Sequence, residues 1–91
     1  MAMPRRELTL INKRGLHARA ATKLVQCCQA YQARVIVSHQ GREADAANVM
    51  ALLMLAAPYG SELEIRAEGD EAEAALAALV ALIEARFDED G

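Results

Sequence analysis

Apolar positions along the chain change period several times, and each change marks an element. Leu8 and Leu10 alternate with Glu7 and Thr9, the period of a half-buried strand. Residues 12–15 interrupt that pattern and predict a loop. From residue 18 to about 30 the period lengthens. Ala21, Leu24, Val25 and Cys28 fall at i, i+3, i+4 and i+7, one face of a helix. Val35 and Val37 then alternate with Arg34, Ile36 and Ser38, a second strand. His39-Gln40-Gly41 reads as a hairpin turn, with glycine free to take positive φ and His39 expected in solvent. A short return strand follows over residues 42–45.

Residues 48–55 are mostly apolar and, apart from Val49, free of β-branching, which favours a short helix ended by Pro58-Tyr59-Gly60. Leu63 and Ile65 alternate with Glu62, Glu64 and Arg66, a last strand. Gly69-Asp70 predicts a turn, with Asp70 expected to cap the next helix and Glu73 at its N3 position. Ala72, Leu76, Leu79, Ile83 and Phe87 form the buried stripe of that helix, and residues 88–91 read as a frayed acidic tail. The order is therefore β-α-β-β-α-β-α. Each strand has one apolar and one polar face. The economical arrangement is an α+β fold: a four-stranded antiparallel sheet with three helices on one face and water on the other. Its 91 residues suit one domain, with an ordered core over about 6–87.

Composition narrows the function classes. Alanine supplies much of the apolar content, which implies close packing with few aromatic rings. No apolar run is long enough to span a membrane. Residues 1–6 are too few and too polar for a signal peptide, so a cytoplasmic location is expected. A net charge of −3 argues against nucleic acid as the main partner. Charge is uneven, however: Lys13, Arg14 and Arg19 gather around His17, a patch suited to a small anion or an acidic partner face. Cys27 and Cys28 are adjacent and lack zinc-site spacing, so they read as free thiols, one of them buried, and no metal or cofactor is expected.

Chemistry concentrates at Gly15-Leu16-His17-Ala18-Arg19, where a loop meets a helix start. Backbone N–H groups and the helix dipole make such a place receptive to an anion. A neutral imidazole nitrogen there is a good phosphoryl acceptor. The N–H groups of Ala18 and Arg19 and the Arg19 guanidinium are placed to hold the phosphoryl oxygens. These residues alone leave open that His17 is merely a capping or loop residue. The second informative segment is Val49-Met50-Ala51-Leu52-Leu53-Met54-Leu55. Val49, Met50, Leu53 and Met54 share one stripe, while Leu52 and Leu55 point elsewhere, toward the core. Methionines suit a surface that meets more than one partner, and core packing is the competing reading.

Gly15-Leu16-His17-Ala18-Arg19-Ala20-Ala21 resembles the active-site signature of HPr, the histidine phosphocarrier family of the bacterial phosphotransferase system. The resemblance runs from about residue 7 to 87 and includes Gly41, the short second helix and the Ala67-Glu68-Gly69 turn. The Ala51–Leu55 run and the Phe87-Asp88-Glu89-Asp90 ending are closer to the nitrogen-branch paralogues, NPr, than to sugar-branch members. The resemblance implies an open-faced β-sandwich and a monomer. It implies that His17 takes a phosphoryl group on Nδ1 from an Enzyme I-type protein charged by phosphoenolpyruvate and passes it to a histidine of an enzyme IIA-type protein. Arg19 would steady the group, and Ala20, Val49, Met50, Leu53 and Met54 would dock the partners. Two positions depart from the family pattern: Ala20 stands where many members have proline, and Asn48 where many have a regulatory serine. Asn48 can cap a helix but cannot be phosphorylated.

Three functions compete at this point. The first is a phosphocarrier, a transfer protein without turnover of its own, in the nitrogen or the sugar branch. The second is a regulatory binding module switched by His17 phosphorylation. The third, a small hydrolase with His17 as base, lacks a second catalytic group.

Overall fold

A computed structural model describes residues 3–89. The elements follow in the order β1 (Arg5–Thr9), α1 (Ala18–Gln29), β2 (Arg34–His39), β3 (Arg42–Asp45), α2 (Val49–Met54), β4 (Glu62–Glu68) and α3 (Ala72–Glu84), then a 3-10 turn over Arg86–Asp88. The strands form one antiparallel sheet in the order β1-β4-β2-β3. Val37 pairs with Ile65 on one side and Ala44 on the other, and Val35 pairs with Ala67. All five are buried, because strand alternation turns them toward the helices. The three helices lie on that face, as the sequence pattern predicts. α1 packs against α2 and α3, and α3 lies across β1, β2 and β4. Buried Ala20, Ala21, Ala72 and Ala75 let these helices approach closely, and Leu24, Leu76, Leu79 and Ile83 fill the layer between helices and sheet.

The other face carries ion pairs. Arg66 meets Glu43 and Glu64, Arg5 meets Glu64, and Arg34 meets Asp45 and Glu68. Exposed pairs of this kind contribute ~0.2–1 kcal/mol each, so the fold rests on the buried face. Between β2 and β3 the chain turns through Gln40 (φ 50°) and Gly41 (φ 81°), the two positive angles of a type I′ hairpin. Among the described residues no helix is long and apolar enough to cross a membrane.

Three expectations are corrected. His39 is the last residue of β2, not a solvated turn residue; it is buried, and its Nδ1 lies 3.3 Å from the Glu62 carbonyl oxygen. As a strand residue it alternates in phase with Val35 and Val37, which puts it on the buried face of β2. Asp70 does not cap α3. Glu71 holds the N-cap position without a side-chain cap, because its carboxylate accepts the Gln32 N–H at 2.8 Å, while Glu73 pairs with Arg6 at 3.1 Å. The acidic ending is not frayed as far as Glu89. After α3 the chain passes through three left-handed residues, Arg86 (φ 56°), Phe87 (φ 53°) and Asp88 (φ 61°), and folds back on the domain. Such angles cost about 1–2 kcal/mol per residue. Full burial of Phe87, a hydrogen bond from Lys23 Nζ to the Phe87 carbonyl and a 3.8 Å Lys23–Asp88 pair offset that cost. Residues 90 and 91 of the expected tail lie outside the described residues.

Phe87 is thus the anchor of the return, and Phe87→Ala is expected to cost about 3–5 kcal/mol. Urea unfolding should show this as a lower midpoint; a loss under about 1 kcal/mol would mean that the segment is held by something other than its buried ring.

Candidate functional site

The site is built where two loops are fastened together. Leu10 donates its N–H to the Ser61 carbonyl (2.8 Å), Gly60 to that of Leu10 (2.9 Å), and Leu16 to that of Ala57 (2.9 Å). The loop after β1 therefore lies against the loop after α2. Gly15 sits at the closest approach with φ 65°, and a Cβ there would stand 2.5 Å from the Ala57 carbonyl oxygen and 2.7 Å from Pro58 backbone atoms. Only glycine fits both the angle and the space. Leu16 is buried beside it, and His17 becomes the N-cap of α1 with extended backbone angles.

No side chain caps α1. The N–H groups of its first turn, those of Ala18 and Arg19 among them, have no acceptor within the helix. Together with the helix dipole they form an anion-receptive end directly beside the His17 ring. The Arg19 side chain is exposed and makes no ion pair among the described residues; Lys13 and Arg14 are exposed as well. His17, Ala18 and Arg19 thus occupy the start of α1, and of the flanking basic residues Arg14 acts on the Glu89 carboxylate beside His17.

The ring itself is held. His17 Nε2 is hydrogen-bonded to Glu89 Oε2, and the two side chains are 23% and 11% exposed. An ionised carboxylate only accepts, so the proton lies on Nε2. Nδ1 has no hydrogen-bond partner among the described residues. The other carboxylate oxygen, Oε1, accepts from Asn12 Nδ2 at 3.0 Å, and the same amide nitrogen donates to the Gly15 carbonyl at 2.7 Å. Asn12 is fully buried, and its Oδ1 has no partner among the described residues. Burial alone would push the Glu89 carboxyl up. The hydrogen bonds from His17 and Asn12 outweigh it, with help from the charges of His17 and Arg14, and the carboxyl lies below its ordinary range.

Sequence reasoning missed both Asn12 and Glu89. Asn12 carried a signal, a short amide side chain able to bond its own loop. Glu89 carried none by itself, because its position depends on the left-handed return after α3.

On α2, Met50 and Met54 are 66% and 72% exposed, Val49 and Leu53 are half-buried, and Leu52 and Leu55 are buried. Asn48 caps this helix by accepting the Ala51 N–H at 3.1 Å. Ala20 is fully buried between α1 and its neighbours, so it offers no surface to a partner; its side chain is part of the core. Cys27 and Cys28 are free. Burial, with Cys27 and Asp45 nearby, pushes the Cys28 thiol up to about 12, and burial raises that of Cys27, so neither is a poised nucleophile. Among the described residues no group of three or more histidine, cysteine or acidic side chains is placed to hold a metal ion.

The Glu89 tie has a pH signature. Unfolded glutamate titrates near ~4.3. Because the folded carboxyl lies lower, its tie contributes stability above that value and loses it as pH falls through the folded midpoint. Carboxyl NMR should find Glu89 titrating below an ordinary glutamate, and His17→Ala should move the midpoint upward. A midpoint indifferent to His17→Ala would contradict the contact.

Comparison with known proteins bears on the chain as a whole and shows its family. The family model described as the PTS HPr component phosphorylation site matches residues 4–85. The chain is 47% identical over 88 residues to the phosphocarrier protein HPr of Pseudomonas aeruginosa, covering 96% of this chain and 98% of that protein. It is 45% identical over 82 residues to the phosphocarrier protein NPr of Escherichia coli K12, covering 89% and 91%. Among solved structures it is similar to HPr-C-His from Thermoanaerobacter tengcongensis, with a TM-score of 0.93 and 34% identity over 98% of this chain and all of that one. With its histidine at an uncapped helix start, its four-stranded sheet under three helices and relatives alike over nearly its whole length, the chain belongs to the HPr family of phosphocarrier proteins of the phosphotransferase system.

Proposed function

We propose that His17 is the phosphoryl-accepting residue. It takes the group on Nδ1 from an Enzyme I-type protein charged by phosphoenolpyruvate and passes it to a histidine of an enzyme IIA-type protein. The observation that carries this reading is the state of the His17 ring. Nε2 is engaged by Glu89, Nδ1 has no partner among the described residues, and the open N–H groups of α1 begin at the next residue. Those N–H groups and the exposed charge of Arg19 would hold the phosphoryl oxygens with bonds of roughly 1.5–3 kcal/mol each. That is enough to keep the phosphohistidine in place between partners, and small enough to release it.

The exposed stripe of Met50 and Met54, with Val49 and Leu53 beneath it, is the docking face of this reading. It adjoins the site because the loop that follows α2 is bonded to the loop carrying His17. Two methionines adapt to differently shaped partners, as a carrier that meets a donor and an acceptor in turn requires. The same face also suits a regulatory module whose binding changes with the charge on His17.

We further assign the chain to the nitrogen-regulatory branch. Support comes from the Phe87-Asp88-Glu89-Asp90 ending, where the sequence resembles NPr. Glu89 of that ending is hydrogen-bonded to His17, which supports reading this segment as part of the site.

Purified Enzyme I paralogues, run side by side with phosphoenolpyruvate, test these assignments. The nitrogen-branch donor should load about one acid-labile, alkali-stable phosphate per chain, His17→Ala should load none, and Arg19→Ala should slow loading about tenfold. Loading that survives His17→Ala would remove His17 from its role; faster loading by the sugar-branch donor would reverse the branch assignment. Met50→Ala with Met54→Ala should raise the half-saturating concentration about tenfold while leaving unfolding unchanged. A half-saturating concentration equal to that of the parent protein would mean that partners dock elsewhere.

A further inference from the structure

The contact between Glu89 and His17 is more than a fastening of the chain end. Three consecutive left-handed residues, none of them glycine, carry the chain to this point. Strain of that kind persists only where surrounding structure over-determines it, and it gathers at functional positions. Here the determinants converge on one carboxylate. Asn12, fully buried and tied to the Gly15 carbonyl, holds Oε1 at 3.0 Å, which turns Oε2 toward Nε2 of His17. Lys23 holds the Phe87 carbonyl and pairs with Asp88, and Arg14 supplies a nearby positive charge. The same loop that places the histidine thus also places, through Asn12, the group that orients it.

We propose that Glu89 is a positioning residue for phosphoryl transfer: by holding Nε2–H it leaves Nδ1 as the open ring nitrogen and balances the charge that the ring gains on phosphorylation. This rests on the assignment of His17 as the phosphoryl acceptor. In the neutral ring Nε2 carries the proton and Nδ1 the lone pair. That pair attacks the phosphorus of the donor's phosphohistidine. The Nδ1–P bond forms as the donor's N–P bond breaks, and the bonding electrons return to the donor nitrogen. No proton leaves His17. Its ring becomes cationic, with N–H at Nε2 aimed at the Glu89 carboxylate, and a hydrogen bond between neutral and charged partners becomes one between opposite charges. On transfer to the acceptor the Nδ1–P bond breaks, its electrons return to Nδ1, and the ring charge disappears. Because the stabilisation is largest while the ring is charged, Glu89 acts on the transfer step more than on the resting protein.

Three measurements on the full chain and its Glu89→Ala and Glu89→Asp variants test this. The first is the Nε2–H proton of unphosphorylated His17 by NMR. The second is the maximal rate of transfer from charged Enzyme I. The third is the nitrogen that carries phosphorus, read from 15N–31P coupling. The parent protein should show a protected Nε2–H signal and phosphate on Nδ1 alone. Glu89→Ala should lose the signal, transfer about tenfold to hundredfold more slowly with little change in half-saturating concentration, and place part of its phosphate on Nε2. Glu89→Asp keeps the carboxylate and should regain much of the rate and the Nδ1 preference. Glu89→Ala with the parent rate, or with an unmoved Nε2–H signal and phosphate on Nδ1 alone, would overturn the proposal. Failure of the parent protein to take phosphate from any Enzyme I would instead overturn the acceptor assignment; the Nε2–H signal needs no phosphate and still decides whether Glu89 holds the ring.

Discussion

The approach of Gly15 to the Ala57–Pro58 backbone is the constraint on which the site depends. It needs a residue without Cβ and with positive φ, and it is closed by the hydrogen bond from Leu16 to Ala57. Once it is made, the next residue can only enter α1 as its N-cap, and that residue is His17. The contact also ties the loop bearing His17 to the loop leaving α2 through backbone hydrogen bonds. On the proposed reading, chemistry at His17 and docking on Met50 and Met54 are linked through this backbone packing.

A second constraint comes from the far end of the chain. α3 ends at Glu84, and the chain then returns over the domain through three left-handed residues. Burial of Phe87 offsets the conformational cost, and the return delivers a carboxylate to the histidine. Asn12 joins the two constraints, because one amide nitrogen serves both the Gly15 carbonyl and Glu89. The site is therefore a meeting of the first loop and the last turn, separated by nearly the whole sequence and brought together by the sheet order β1-β4-β2-β3 with α1 and α3 side by side.

What was legible in the sequence follows from how local each cause is. Strands and helices follow from side-chain period, so the element order, the buried stripe of α1 and that of α3 as far as Ile83 could be read directly; Phe87, expected on the same helix face, is buried beyond the helix end, in the left-handed return. The same holds for the cap at Asn48, which depends on residues within one turn. His17 and its flanking N–H groups were legible because a glycine, a histidine and a helix start are adjacent. Causes acting across the sheet were not. His39 looks like a turn residue until the β2–β3 register places it in the ladder. Asp70 has the right chemistry for a cap, but Glu71 takes the position while its side chain reaches Gln32, distant in sequence. Ala20 lies one residue from an exposed arginine and is nevertheless buried, since the helix turns it inward. Glu89 is the clearest case: an acidic residue near a chain end reads as solvated unless the left-handed return that carries it inward is known.

The central claim is that an open ring nitrogen and an open helix start together form the phosphoryl site. Amide chemical-shift mapping before and after charging with phosphoenolpyruvate and Enzyme I tests it most directly. The amides of Ala18 and Arg19 should move furthest, downfield as they donate to phosphoryl oxygens, while the core strands stay in place. Largest shifts elsewhere, with those two amides unmoved, would show that the phosphoryl group does not rest at the start of α1.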